Sequence, residues 1–243
     1  MAVVCQSSLC LAGDLKILPL GDSITFGAGA SGNPVPGGYR SKLYSDLKAA
    51  NINSIYVGAL AVNPSPTLTT AGQNAHCGYS GRTIIEITAD IDGWMNTCNP
   101  DVVLLHIGTN DMLCNRQGGA PDRLNSLVDK ITSKRPNLRL FFAGITPLTN
   151  GNAWANHHVI DYNKAVKEMV VPKYRDSLHR NVYYVDQYAN FVSTGVLDPT
   201  HIPDGAHPDQ TGYDFMATAL AKSIIATFPQ PTLKDTAGVT DSK

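Results

Sequence analysis

Long hydrophobic runs, an excess of one charge and a paired-cysteine motif are all absent from this sequence of 243 residues. Its longest apolar runs, such as residues 102–107, are far shorter than the ~18 residues that a membrane-spanning helix needs, so no membrane partner is predicted. The net charge is -1, which argues against the basic surface of a nucleic-acid-binding protein. These absences argue against nucleic acid and membrane as partners.

Cysteine is scarce and unpatterned. The five cysteines are residues 5, 10, 77, 98 and 114, and no two form a C-x-x-C pair. Zinc sites and thioredoxin-like redox sites are therefore not predicted, and no metal ligand is assigned. An odd number leaves at least one thiol without an internal partner, while two disulfides or five free thiols both remain open.

Short apolar runs alternate with segments of helical period along most of the chain, and 43% of the residues are hydrophobic, enough for one sizeable core. Strands that are apolar throughout are typical of a parallel sheet covered by helices on both faces, so an α/β fold is predicted. The predicted strands are residues 15–20, 54–57, 102–107, 138–145 and 182–185. The predicted helices are residues 39–50, 83–95, 122–134, 155–171 and 212–228.

The pattern predicts one domain over residues 15–228. Residues 1–14 form an N-terminal segment. This segment has neither a basic stretch nor a long apolar stretch after it, so no secretory signal peptide is predicted there. Residues 59–82 show no regular period and are predicted to be a long loop, of a length that is usually either functional or disordered. Residues 229–243 are poor in apolar side chains and are predicted to be a linker or a disordered tail.

A serine hydroxyl becomes a nucleophile when an imidazole accepts its proton, and the imidazole needs an acid to fix its tautomer. Ser23 follows the first predicted strand, and Asp204 stands three residues before His207, ahead of the last helix. A tight turn at this spacing brings the carboxylate to one ring nitrogen while the other points outward. Ser23 is the candidate nucleophile, His207 the base and Asp204 the orienting acid. Alternatively, Ser23 only caps a helix, or His201 is the base.

Acyl transfer also needs hydrogen-bond donors aimed at the oxyanion that develops on the attacked carbonyl. The backbone N–H groups of Ser23 and Gly81 and the side-chain amide of Asn110 are the candidate donors. Each of them follows a predicted strand or ends the long loop, and ligands bind beyond the carboxyl ends of strands in open α/β sheets. The alternative for Asn110 and Asp111 is a simple turn, which both residue types favour.

Four stretches in this order, GDSIT, GYSGRT, HIGTND and DGAHPDQTGY, resemble the sequence blocks of the SGNH, or GDSL-type, hydrolases. Their spacing is most similar to carbohydrate esterase family 3, and the resemblance covers about residues 15–228. It implies a flavodoxin-like, three-layer α/β/α sandwich with a central five-stranded parallel sheet, and it implies the serine, histidine and aspartate roles given above. The second block lacks the Asn that many members carry before the Gly, so Gly78 is an alternative to Gly81.

Other residues beside these blocks are candidates for substrate binding. Asp22, Tyr79 and Asp111 are predicted to contact substrate, although Asp22 has an alternative role as a hydrogen-bond acceptor for the turn backbone. Cys77 and Cys114 adjoin the second and third blocks, and a disulfide between them is predicted to join the two loops, as in a secreted protein. The G-x-S-x-G elbow of an α/β-hydrolase is excluded, because residue 82 is Arg where the second Gly should stand.

The resemblance implies a carboxylic ester hydrolase that is secreted and removes O-acetyl groups from acetylated carbohydrate, with acetylated xylan as the expected substrate. No cofactor is required for this chemistry. Some similar carbohydrate esterases bind a structural calcium ion, which leaves room for one here, although no D-x-D-x-D-G loop occurs. The alternatives are a lipase, thioesterase or arylesterase of the same superfamily, and a non-catalytic sugar-binding protein on the same fold. A monomer is expected.

Overall fold

A computed structural model describes residues 14–133, 135–193 and 195–228, which form a parallel sheet between two layers of helices. The predicted tail and nearly all of the predicted N-terminal segment lie outside these residues. The strands are β1 (Leu15–Gly21), β2 (Ser54–Tyr56), β3 (Cys77–Gly78), β4 (Val102–His106), β5 (Arg139–Ala143), β6 (Asn181–Val185), β7 (Val192–Ser193) and β8 (Val196–Leu197). The α-helices are α1 (Ser23–Phe26), α2 (Tyr39–Ala49), α3 (Pro66–Thr70), α4 (Ile84–Cys98), α5 (Thr109–Leu113), α6 (Ala120–Thr132), α7 (Asn156–Ala165) and α8 (Gln210–Thr227).

The central sheet has the strand order β2-β1-β4-β5-β6, and every neighbouring pair is parallel. This order reverses between β1 and β4, as in the flavodoxin-like doubly wound fold, and it confirms the predicted five-stranded architecture. The two-residue strand β3 was not predicted. It pairs with the last residues of β1, beyond the point where β2 ends. Strands β7 and β8 form a separate antiparallel hairpin.

Alternate residues of each strand enter two separate cores. In β1, Leu18 and Leu20 pack into the core beneath α4, α6 and α7, whereas Leu15 and Ile17 pack into the core beneath α2 and α8. A strand with both faces buried must be apolar at successive positions, which explains the uninterrupted apolar runs in the sequence. No helix among the described residues is long and apolar enough to cross a membrane.

Residues 59–82 are more ordered than predicted. Ser65 caps helix α3 by accepting a hydrogen bond of 3.2 Å from the N–H of Leu68, and Pro66 occupies the first turn, where its missing N–H is not needed. Leu60 and His76 then pair as an isolated antiparallel bridge before the chain enters β3. Residues 59–82, the excursion, are therefore held by hydrogen bonds: the chain leaves the sheet after β2 and returns to it beside β1. The final residues of the excursion reach the carboxyl edge of the sheet.

Candidate active site

Ser23 is presented by a sharp turn between β1 and α1. The Asp22 carboxylate caps α1 by accepting a hydrogen bond of 3.0 Å from the N–H of Ile24. Only glycine fits at position 21, directly before Asp22, because a Cβ there would lie 2.0 Å from the carbonyl oxygen of His106 on the neighbouring strand. Ser23 is 9% exposed, and its N–H belongs to the first helical turn, whose donors have no acceptor within the helix.

The 204–207 turn, directly before α8, holds the imidazole. One oxygen of Asp204 accepts hydrogen bonds from the N–H groups of Ala206 and His207, at 3.0 and 2.7 Å. The other oxygen lies 2.8 Å from Nδ1 of the His207 ring. Asp209 then caps α8 by accepting a backbone hydrogen bond of 2.8 Å. The carboxylate thus fixes both the backbone and the ring of the histidine.

The structure brings Ser23, His207 and Asp204 together as one hydrogen-bonded chain. Oγ of Ser23 lies 2.9 Å from Nε2 of His207. Partial burial raises the pKa of Asp204, but the hydrogen bonds from His207 and Ala206 outweigh it and hold that pKa below its ordinary value. An ionised carboxylate at Nδ1 favours the tautomer with the proton there, so Nε2 is free to accept the serine proton.

A cavity of about 520 Å³ opens beside this chain of hydrogen bonds. Its walls come from the turn after β1, the end of the excursion before α4, helix α5 and the 204–207 turn. The lining residues are Ser23, Phe26, Ala28, Gly29, Gly32, Pro34, Ser80, Gly81, Asn110, Asp204 and His207. Most of these side chains are small.

Three donors converge on the cavity. Gly81 has φ +80°, a left-handed conformation that glycine adopts without strain, and no other described residue accepts its N–H. Asn110 donates one amide hydrogen to the carbonyl oxygen of Arg82 at 3.0 Å, which leaves its second hydrogen for a ligand. Together with Ser23, Gly81 and Asn110 line the cavity, so hydrogen-bond donors from three separate segments lie at one cavity.

Gly78, the alternative donor, lies elsewhere. Its N–H already donates to Nδ1 of His76 at 3.0 Å. A Cβ on Gly78 would lie 2.5 Å from the N atom of Phe26, so this glycine is needed for close packing of β3 against α1. Gly78 does not line the cavity, whereas Gly81 does.

Two acidic residues predicted to contact substrate are buried away from it. Asp22 and Asp111 are both 0% exposed. Asp111 accepts a hydrogen bond of 2.9 Å from the N–H of Ile84 and pairs with Arg123 at 3.0 Å, so it joins α5 to α4 and α6. Desolvation by burial raises the pKa of Asp111 above its ordinary value. Neither carboxylate lines the cavity, and the prediction of substrate contact is corrected to a structural role for both.

Tyr79 also has a structural role. Its ring stacks on Trp94 with the centroids 5.1 Å apart, and the Arg82 guanidinium lies over it at 5.2 Å. It does not line the cavity, although its neighbour Ser80 does. The predicted contact of Tyr79 with substrate stays a prediction, and the packing of its ring supports the short segment that carries Gly81.

The predicted disulfide between Cys77 and Cys114 is wrong. Both thiols are free, Cys77 being buried on β3 and Cys114 exposed after α5. The Cys77 sulfur accepts a hydrogen bond of 3.3 Å from the N–H of Ala59, and burial raises the pKa of this thiol to about 12. The two loops are joined instead by the hydrogen bond from Asn110 to Arg82 and by the carboxylate of Asp111.

The other histidines near the blocks do not reach the cavity. His201, the alternative base, pairs with Asp209 at 2.9 Å and packs edge-on against Phe215. His106 is buried at the end of β4, with Nδ1 3.8 Å from Asp22. His76 is buried inside the excursion. Only His207, among the described histidines, lines the cavity.

Residues 27–38, the rim loop, form one wall of the cavity. The sequence motifs did not identify the side chains of this wall. The clustered glycines in this stretch are the signal that a loop approaches Ser23. The buried guanidinium of Arg40 donates to the carbonyl oxygen of Phe26 at 3.2 Å, and the Asn63 amide donates to the same oxygen at 3.0 Å. The hydroxyl of Tyr213 holds the next part of the loop. These buried donors make the wall rigid.

The described residues do not gather three His, Cys, Asp or Glu side chains into a group that could hold a metal ion. These side chains therefore offer no calcium site, and the structural calcium that the resemblance leaves open stays a prediction. No step proposed below passes through a metal.

Residues 20–215 match the GDSL-like lipase/acylhydrolase family. The chain belongs to this family. Its hydrogen-bonded serine, histidine and carboxylate are the groups that acyl transfer requires. The GDSL-like chain is 29% identical over 230 residues to a multidomain esterase of Ruminococcus flavefaciens, an alignment that covers 84% of this chain and 28% of that protein.

Solved structures share the fold of this GDSL-like chain. A family 3 carbohydrate esterase of Clostridium thermocellum has a TM-score of 0.66 and 29% identity, over 88% of this chain and 98% of that one. A mutant of Axe2, an acetylxylan esterase from Geobacillus stearothermophilus, has a TM-score of 0.60 and 20% identity, over 87% of this chain and 95% of that one. At 20% identity, the second comparison shows the fold alone.

Proposed function

We propose that this chain is a serine esterase that removes O-acetyl groups from a plant cell-wall polysaccharide, with acetylated xylan or its oligosaccharides as substrate. The observation that carries the proposal is the hydrogen-bonded chain from Ser23 through His207 to Asp204, which ends at a cavity with small side chains. The name of one structural neighbour, a family 3 carbohydrate esterase at 29% identity, supports a carbohydrate ester as the substrate class.

In the first half of the proposed reaction, Oγ of Ser23 attacks the acetyl carbonyl carbon while Nε2 of His207 takes the hydroxyl proton. The carbonyl oxygen becomes an oxyanion, which the N–H groups of Ser23 and Gly81 and the Asn110 amide stabilise. The C–O bond to the sugar then breaks, and the imidazolium gives its proton to the departing sugar oxygen. The products are the sugar hydroxyl and an acetyl ester on Ser23.

In the second half, a water molecule attacks the acetyl-enzyme while Nε2 of His207 takes one of its protons. The bond between Oγ of Ser23 and the acetyl carbon breaks, and His207 returns the proton to Oγ. Acetic acid leaves and ionises at neutral pH. Asp204 stays ionised throughout and balances the charge of the imidazolium. These steps need no cofactor.

The test is acetate release from acetylated xylan by the wild type, Ser23→Ala and Ser80→Ala. Ser80 lines the same cavity and provides a matched loss of one serine hydroxyl. We expect release to vanish in Ser23→Ala and to stay within a few-fold of wild type in Ser80→Ala. Covalent labelling by a fluorophosphonate should likewise require Ser23 alone. Equal release by wild type and Ser23→Ala would overturn the proposed nucleophile.

Acyl chain length separates the proposal from its alternatives. An esterase specific for acetyl groups should cleave p-nitrophenyl acetate faster than the octanoate ester. A preference for octanoate, with no acetate released from xylan, would favour a lipase or thioesterase. Failure to cleave any ester and to react with the fluorophosphonate would favour a sugar-binding protein. The proposal further includes action outside the cell, where the polymer lies, and a monomeric catalytic domain.

A further inference from the structure

An exposed tryptophan belongs to a segment that contacts the 204–207 turn and α5, and it has no role in the reaction proposed above. Trp154 is 50% exposed and belongs to the 3₁₀ segment Asn150–Ala155. Its indole has no hydrogen-bond or ring partner among the described residues. Phe215, which is also exposed, packs its ring against Phe191 and His201. Ala155, the residue after Trp154, is fully buried, so the backbone beside the indole is fixed.

The segment that carries Trp154 adjoins two walls of the cavity. The N–H of Thr149 donates to the carbonyl oxygen of Gly205 at 2.9 Å, and the Asn152 amide donates to the carbonyl oxygen of Asp204 at 3.4 Å. The same segment packs against α5, the helix that carries Asn110. It is therefore bound to the 204–207 turn on one side and contacts the oxyanion helix on the other.

The chemistry of this surface suits a sugar ring. An indole offers a large rigid face to the C–H groups of a pyranose ring, and its N–H is a free donor for a hydroxyl. The Asn150 amide donates to the carbonyl oxygen of Pro203, and the Asn152 amide donates to that of Asp204. The side-chain oxygens of both residues are left as acceptors. A cavity of about 520 Å³ can hold the acetyl group and its sugar, but the rest of a polymer must lie on the surface outside it.

We propose that Trp154 is a stacking platform for a pyranose ring of the polysaccharide main chain, next to the residue that carries the scissile acetyl group. The inference rests on the proposed function and extends it to how the polymer is held. Trp154 contributes to binding of the polymer and takes no part in the chemical steps. A small ester fills only the cavity and gains nothing from this contact.

The experiment compares wild type, Trp154→Ala, Trp154→Phe and Met169→Ala. Met169 is 68% exposed on the outer helical layer and is the control for loss of an exposed apolar side chain. We expect Trp154→Ala to raise KM for acetylated xylan about tenfold, the effect of losing one aromatic contact of roughly 1.4 kcal/mol. Its kcat on xylan and its kcat/KM on p-nitrophenyl acetate should stay within about twofold of wild type. The KM of Trp154→Phe for acetylated xylan should lie close to the wild-type value, and the KM of Met169→Ala should equal it.

The outcomes distinguish this inference from the proposed function. An unchanged KM for xylan in Trp154→Ala overturns the stacking role and leaves the esterase proposal intact. A parallel loss of kcat/KM on both substrates also overturns it, because Trp154 would then act through the 204–207 turn. Wild-type protein that cleaves p-nitrophenyl acetate but releases no acetate from xylan overturns the proposed substrate, and the polymer platform with it.

Discussion

The hydroxyl of Tyr213 donates a hydrogen bond of 2.6 Å to the carbonyl oxygen of Ala28. Tyr213 lies on α8, the helix that follows the His207 turn, and Ala28 lies on the rim loop that follows Ser23. This partly buried contact therefore joins the helix that follows His207 to the loop that follows Ser23. It connects two residues that are 185 positions apart in sequence.

Replacing Tyr213 with Phe removes this hydrogen bond and leaves the ring in the core. The carbonyl oxygen of Ala28 then loses its side-chain donor, so we expect the free energy of unfolding to fall by about 1 kcal/mol. We also expect kcat on p-nitrophenyl acetate to fall, because Ser23 and His207 are then less firmly aligned. Urea denaturation and initial rates measure the two effects. Tyr44→Phe removes a hydroxyl that has no hydrogen-bond partner among the described residues and should leave both unchanged.

The close approach of β1 and β4 predicts that Gly21→Ala is severely disruptive. The new Cβ would meet the carbonyl oxygen of His106 at 2.0 Å, and this atom belongs to the backbone and cannot turn aside. We expect loss of soluble folded protein or a large fall in the thermal midpoint. Gly93→Ala is the matched control, since it lies inside α4 with nothing within 4 Å of the added methyl. That change should stabilise the protein by roughly 0.5–1 kcal/mol.

A buried histidine predicts how stability depends on pH. Burial, and then the charge of Arg40, lower the pKa of His76 from 6.5 to about 4. The folded state thus takes up this proton less readily than the unfolded state. The contribution to stability is present in full above pH 6.5 and is lost as the pH falls from 6.5 towards 4, by about 3 kcal/mol for this group.

Comparison of His76→Gln with wild type isolates that contribution. Glutamine retains a donor and an acceptor but does not titrate, so we expect a smaller fall in the urea midpoint between pH 7 and pH 5 than in wild type. His157→Gln, at an exposed position, should retain the wild-type pH dependence. An equal fall in His76→Gln and wild type would mean that folding does not lower the pKa of His76.

The three hydrogen bonds to the carboxylate predict a large effect of Asp204→Asn on catalysis. The amide cannot stabilise the imidazolium or fix the Nδ1–H tautomer, so we expect kcat to fall by about 10³–10⁴-fold. Asp209→Asn changes a neighbouring carboxylate of the same type, which caps α8 and pairs with His201. Its effect on kcat should be no more than about tenfold. Rates on p-nitrophenyl acetate, with circular dichroism as a folding control, measure both.

The architecture could be read from the sequence because long, uninterrupted apolar strands leave few folds open. Strands β4 and β5 are recognisable for that reason, and so are amphipathic helices such as α6. Strand β3 has two residues, and only its pairing with Leu20 and Gly21 across the sheet defines it as a strand. Helices α1 and α5 have four and five residues, which is too short for a period of 3.6 to show.

The candidate site was predictable where a residue's neighbours in sequence also position it. Asp204 and His207 meet within one turn, so their spacing carries the geometry. The predicted contacts of Asp22 and Asp111 failed because a motif does not reveal which way a side chain points. The predicted bridge failed for a similar reason: proximity of two loops does not determine that Cys77 points into the core and Cys114 towards solvent.

Strand β3 has a consequence for how insertions can be tolerated here. Gly21 pairs with Gly78, and its carbonyl oxygen accepts a hydrogen bond of 3.0 Å from the N–H of Tyr79. The segment that bears Gly81 is thus anchored to the strand that ends at Ser23. Asn63 and His76 must keep their hydrogen bonds with Phe26 and Gly78. The turn at residues 70–72 makes only local backbone hydrogen bonds, so it can lengthen while the spacing between Ser23 and Gly81 stays constant. This excursion is a place where the protein can gain new substrate contacts without rebuilding its catalytic centre.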